Sequence, residues 1–140
     1  MSRSLSVEVV TPAATIFQGE AEMVVAMTTD GEVGILPLHV PIVAELAPGE
    51  LRLKQGTVED TQVFATYGGY LQCADDHMII LTDNAINAKA IDVAALEAEK
   101  ASLEERIKAL PADAFDERAE LEHELVWTSN CVKVGKKNTK

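Results

Sequence analysis

Aromatic residues are scarce in this chain of 140 residues, at 4%, with one Trp, two Tyr and three Phe. A core short of rings must be built from Val, Ile, Leu and Ala, and the 47% hydrophobic content supplies them. Cysteine is nearly absent. Cys73 and Cys131 stand far apart in no C-x-x-C pair, which argues against a disulfide framework and fits a reducing compartment. Basic residues are few, 12 Lys and Arg against 23 Asp and Glu, for a formal charge of −11. Nucleic acid is therefore excluded as a partner, because phosphate binding needs a cationic face that releases counterions. The same charge opposes adsorption to anionic lipid. The sequence holds no apolar run of the ~18 residues that a spanning helix needs. Its first ten residues, MSRSLSVEVV, lack the basic-then-apolar pattern of a secretory signal. A soluble chain with no direct lipid insertion is expected.

Catalytic signatures are missing as well. His39, His77 and His123 share no metal-ligand spacing, and neither H-E-x-x-H nor a paired-cysteine set occurs. There is no G-x-S-x-G elbow, no G-x-x-x-x-G-K-[ST] loop and no G-x-G-x-x-G turn. No catalytic residue, cofactor or metal site is expected, and by exclusion the chain reads as a binding or structural protein.

What is present divides in two. Up to about residue 86 the pattern is of short strands with turn punctuation. Leu5, Val7 and Val9 alternate with Ser6 and Glu8, the period of a half-buried strand. Further strands are predicted from about Thr15, over 22–28, over 40–46 and in LRLK, with turns at 29–32, 47–50 and 55–56. The run QVFATYGGYLQC, 62–73, reads as one strand in which the Gly68-Gly69 pair marks a bulge or a close backbone approach. MIILTD reads as a buried strand after a turn at 74–77. This spacing indicates an antiparallel sandwich or barrel.

From Asp92 the period becomes helical. Asp92 is an N-cap, and Val93, Leu96, Leu103, Ile107 and Leu110 form one stripe. Leu110-Pro111-Ala112-Asp113 stops this helix, since proline cannot continue the ladder, and opens a second. There Phe115, Ala119, Leu121, Leu125 and Val126 give a less regular stripe to about Trp127. The domains expected are a β unit over 1–88, a helical hairpin over 89–132, and a basic tail over 133–140 with Lys133, Lys136, Lys137 and Lys140. A hairpin of about 40 residues buries too little to stand alone, so its stripes are expected to dock on the sandwich or on a partner.

Three stretches, DGEVGILPLHVP, YGGYLQ and ILTDNAINAKAID, resemble the ε subunit family of the F-type rotary ATP synthase. The family's loop G-E-x-G-I-x-P-x-H-x-P is matched by Gly31, Glu32, Gly34, Ile35, Pro37, His39 and Pro41, and the likeness covers nearly the whole chain. The resemblance implies a flattened β-sandwich of about ten strands followed by a two-helix antiparallel hairpin. It further implies a non-catalytic rotor subunit that binds the γ subunit and the ring of c subunits, couples rotation to ATP synthesis, and lies at the cytoplasmic face of the bacterial inner membrane. The implied interface with γ and the c ring comprises Gly31, Glu32, Pro37, Leu38, His39 and Pro41. Family members can also contact the α and β subunits through the helices and restrain ATP hydrolysis.

The departures from the family pattern bear on these implications. Position 38, often glycine in the family, is Leu38. The I-D-x-x-R-A motif with which some members bind ATP reads Ile91-Asp92-Val93-Ala94-Ala95-Leu96 here, so the arginine is replaced by Ala95. Asp92 and Arg118 are the remaining candidates for a nucleotide site, and one guanidinium neutralises phosphate poorly. A stand-alone ATP-sensing module is the alternative function. The second helix carries Asp116, Glu117, Glu120, Glu122 and Glu124 against Arg118, so like charge opposes insertion beside acidic segments of the catalytic subunits.

Overall fold

A computed structural model describes residues 4–138, with the side chains of residues 57–59 outside that description. Lys140, expected in a basic tail, also lies outside the described residues. The chain forms two compact units that divide between Asn87 and Ala88.

The first unit has ten strands: β1 (Leu5–Val10), β2 (Thr15–Ala21), β3 (Met23–Thr28), β4 (Gly31–Ile35), β5 (Ile42–Glu45), β6 (Gly49–Gln55), β7 (Thr57–Tyr67), β8 (Tyr70–Ala74), β9 (His77–Leu81) and β10 (Asn84–Asn87). They form two five-stranded sheets, ordered β2-β1-β9-β8-β5 and β10-β7-β6-β3-β4. This is the β-sandwich expected from the spacing of strands and turns. Pairing is antiparallel except between β1 and β9, where Ser6 faces His77 and Val10 faces Leu81 in parallel register. No hairpin joins those two strands, so nothing local dictates their relative direction.

The core lies between the sheets. Leu5, Val7, Val9, Leu71, Met78 and Ile80 from the first sheet meet Val24, Ile35, Leu51, Leu53 and Phe64 from the second, all buried. The scarce rings are used here, with Phe17 edge-on to Phe64 at 6.2 Å between centroids.

Three strand expectations need correction. The Gly68-Gly69 pair is not a bulge within one strand: it ends β7 and carries the chain to β8 in the opposite sheet. Close backbone approach explains Gly69, since a Cβ there would overlap the carbonyl oxygen of Leu81, while Gly68 takes φ +69° beside the Asp83 carboxylate. The strand expected over 40–46 is only Ile42–Glu45, because the prolines shape the residues before it. MIIL is buried on one side only. Met78 and Ile80 face the core while Ile79 and Leu81 face outward, since each sheet of a sandwich covers one face of the other.

The second unit holds a short 3-10 turn (Ala88–Ala90) and two helices, α1 (Val93–Ala109) and α2 (Phe115–Asn138). Asp92 caps α1, its carboxylate accepting the Ala95 amide at 3.1 Å. The α1 stripe holds, with Leu103 fully buried. The α2 stripe is phased differently. Phe115 is 73% exposed and Val126 is exposed as well, while Leu121, Thr128, Cys131, Val132, Val134 and Gly135 are buried. Small and polar residues take interhelical positions that an apolar pattern misses. At Gly135 a Cβ would come within 2.8 Å of the Ile91 and Val93 methyls. The helix also runs well past Trp127. Lys136 and Lys137 lie in its last turn, where cations suit the helix dipole, and acidic Asp116 and Glu117 lie in its first.

Candidate functional site

The family-like segment is built as two separate features at opposite ends of β4. At one end, β3 and β4 close through Thr29-Asp30. The Thr28 hydroxyl donates to the Gly31 carbonyl at 2.7 Å and accepts the Asp30 amide at 3.1 Å. Gly31 has φ +115°, a backbone that side chains disfavour. Glu32 follows, exposed, opposite Met27. At the other end lie Pro37, Leu38, His39 and Pro41. The four steps from Glu32 to Leu36 span ~13 Å at strand rise. The six interface residues predicted from the sequence therefore fall into a tip (Gly31, Glu32) and a proline loop (Pro37, Leu38, His39, Pro41).

In the proline loop the His39 amide donates to the Leu36 carbonyl at 3.2 Å, closing a turn with Pro37 second and Leu38 third. Leu38 has φ +70°. Its amide donates to Oδ1 of Asp76 at 2.7 Å. His39 lies with Nδ1 2.6 Å from its neighbour's carbonyl, that of Val40. Leu38, His39, Pro41, Asp75 and Asp76 line a shallow recess of ≈ 350 Å³. Above it the apolar groups stand free: Leu38 is 71% and Val40 72% exposed. Ile35, by contrast, is core.

β5 leads from this loop into the edge of the first sheet, whose outer face is unusually apolar. Pairing sets Val43 beside Gln72 and Gln72 beside Ile79, and in the next row Tyr70 beside Leu81 and Leu81 beside Val10. Val43, Tyr70, Ile79 and Leu81 are all exposed large apolar residues. An antiparallel sheet with one solvated face ordinarily turns polar residues outward. Tyr70, Ile79, Leu81 and Val10 adjoin there, with Gln72 between Val43 and Ile79, Glu45 beside Tyr70 and Glu8 beside Ile79, and exposed apolar groups gathered in this way make the face a candidate protein-binding surface. Sequence reading missed it, although a signal existed: MIIL is apolar at every position, which a strand with one covered face does not require.

The two candidate nucleotide residues have structural partners. The Asp92 carboxylate caps α1, and the Arg118 guanidinium donates to the Pro111 carbonyl at 3.1 Å across the helical turn. Both cysteines are free and buried. Burial, with Glu99 nearby, pushes the Cys131 thiol up to about 11, and burial followed by the Asp76 charge raises that of Cys73. Among the described residues no group of acidic, His and Cys side chains could hold a metal ion. No described helix is long and apolar enough to cross a membrane.

Residues 4–88 match the family model described as ATP synthase, Delta/Epsilon chain, beta-sandwich domain. The ATP synthase epsilon chain of Alkalihalophilus pseudofirmus is 43% identical over 113 residues, 81% of this chain and 84% of that protein. An epsilon chain named sodium ion specific, from Propionigenium modestum, is 36% identical over 79% of each chain. In fold, the chain is similar to one in the Euglena gracilis mitochondrial ATP synthase OSCP/F1/c-ring structure, with TM-score 0.74 at 20% identity over 91% of this chain and 78% of that one. It is also similar to one in the Tetrahymena thermophila central stalk and c-ring structure, with TM-score 0.62 at 19% identity over 96% and 98%.

Proposed function

The chain belongs to the ATP synthase ε-chain family, and on that premise we propose that it is a non-catalytic rotor subunit of the central stalk, coupling c-ring rotation to ATP synthesis. The observation that carries this reading is the outward apolar face of the first sheet, continued by Leu38 and Val40. A face of this composition suits a mainly apolar contact with one globular partner, and in this family that partner is γ. The tip around Gly31 and Glu32 is polar and ~13 Å away along β4. It suits a second, smaller contact with the polar loops of the c ring. Pro37 and Pro41 reduce the freedom lost when the loop docks.

The domain roles follow this division. Residues 1–88 carry the γ and c-ring contacts, and the helical hairpin, whose second helix continues through the expected basic tail to Asn138, regulates ATP hydrolysis through contacts with the α and β subunits. The α2 charge is segregated, with five acids against Arg118 in its first ten residues and Lys133, Lys136 and Lys137 near its end. Like charge keeps the acidic half away from acidic segments of the catalytic subunits, so the lysine end makes that contact. The subunit works at the cytoplasmic face of the bacterial inner membrane as a peripheral part of the synthase.

The test is co-purification with γ, comparing the unmodified chain with Ile79→Lys/Leu81→Lys. Both side chains are exposed, so the fold is expected to survive, whereas two charges set into an apolar contact weaken binding by more than ~100-fold. Retention of γ by the double variant would sink the assignment of this face.

A further inference from the structure

Leu38 is held where leucine is disfavoured. The bond from the His39 amide to the Leu36 carbonyl, Pro37 in second place and φ +70° at Leu38 describe a type II turn. The third place of that turn calls for glycine or asparagine. Yet the side chain there is a large apolar one that is 71% exposed, so burial within this chain does not offset the strain.

What holds the turn is Asp76. The 2.7 Å contact from the Leu38 amide is a charge-assisted hydrogen bond. Asp76 is presented by the two-residue turn between β8 and β9, where Asp75 has φ +51° and Asp76 φ +61° and Ala74 pairs with His77. These angles give the I′ geometry that matches strand twist. The Asp76 carbonyl in turn accepts the Ser6 amide of β1 at 2.8 Å. One residue thus ties the proline loop to two strands of the sheet with the apolar outer face.

We propose that Asp76 is a positioning residue of the γ-docking surface, holding Leu38 in its strained turn so that Leu38, Val40 and Val43 stand as a preformed apolar ridge at the edge of that sheet. The proposal rests on the γ-docking reading above. Backbone strain persists only where surrounding structure over-determines it, and it collects at binding surfaces. A ridge fixed before contact spares the partner the entropy of ordering it.

The test uses the full chain with Asp76→Gly and Asp76→Asn. Glycine keeps the positive φ of the β8–β9 turn and removes the carboxylate. Asparagine keeps both the turn and an acceptor oxygen. Two quantities are measured, hydrogen exchange of the Leu38 amide and affinity for an immobilised αβγ complex that lacks this subunit. Asp76→Gly is expected to speed Leu38 exchange and weaken binding, each by roughly tenfold or more as one charge-assisted bond warrants, while Asp76→Asn stays within about threefold of the unmodified chain. Faster Leu38 exchange with unchanged affinity overturns the proposal, as does no change in either quantity. Loss of affinity accompanied by loss of protection throughout β8 and β9 also overturns it, in favour of a purely structural role. If Ile79→Lys/Leu81→Lys binds the same complex normally, the docking reading itself fails, which is a separable result.

Discussion

Replacing Gly69 by alanine tests the sandwich at the point where the chain passes from one sheet to the other. Gly69 has φ +95°, and an added Cβ would overlap the Leu81 carbonyl oxygen and lie 2.7 Å from the Thr82 Cα. Both neighbours are backbone, so no side-chain rotation relieves the clash. The Gly69 carbonyl also accepts the Leu46 amide at 2.8 Å, and a local shift strains that bond. The unfavourable backbone region costs about 1–2 kcal/mol, and the forced displacement about 1–3 kcal/mol. A stiffer unfolded chain offsets about 0.4–1 kcal/mol. The net loss is ~1–4.6 kcal/mol, about 3 kcal/mol at mid-range, which in a unit of this size lowers the melting temperature by ~10–25 °C. Gly31→Ala is the control. Its φ is +115°, but nothing lies within 4 Å of the added Cβ, so only the backbone cost applies, about 1 kcal/mol after the same offset. Thermal unfolding of the full chain, followed by circular dichroism in the strand region, compares the two. Trp127 is the single tryptophan and lies in α2, so its fluorescence reports the helical unit separately. If Gly69→Ala melts within roughly 2 °C of Gly31→Ala, the close-approach argument is refuted, because the steric term was worth several times that shift.

The Cys131 thiol gives a pH prediction. Its folded value of about 11 lies above the ordinary 9.0, so the proton is lost first from the unfolded chain: the stabilisation is complete below pH 9 and falls as pH rises toward 11. Stability of the helical unit, read from Trp127 fluorescence, should drop by up to about 1.4 kcal/mol per pH unit across that window. Cys131→Ala should show a flatter profile, and parallel profiles would refute the cause given. Deleting residues 92–140 is expected to raise ATP hydrolysis by the assembled enzyme, with unchanged hydrolysis removing the regulatory role assigned to the helical unit.

Much of the fold was legible from neighbouring residues. Leu5, Val7 and Val9 announced a half-buried strand, and the structure buries all three. Asp92 announced a cap and provides one. These features depend on groups a few residues apart, which a linear pattern retains. The phase of α2 was not legible, because its contact face uses Thr128 and Gly135, and apolar periodicity is blind to such residues. Nor was the true place of the glycine pair: bulge and sheet crossing have the same local composition, and only the nearby Leu81 carbonyl separates them. The family-like loop was legible as a set of residues but not as a geometry. Glu32 and His39 are seven positions apart, yet the strand between them sends them to different ends of the unit.

The sequence by itself determined the β-then-helix order, the turns, the helix cap and the family, because each of these is a short-range preference or a pattern of residues in series. Tertiary structure alone decided that Ile79 and Leu81 face outward while Met78 and Ile80 face the core, and that Asp76 reaches the Leu38 amide from 38 residues away. Strand partners and sheet faces are chosen by contacts between distant segments. A residue's neighbours in the chain limit its conformation, but only the packed sheets determine which surface remains for a partner.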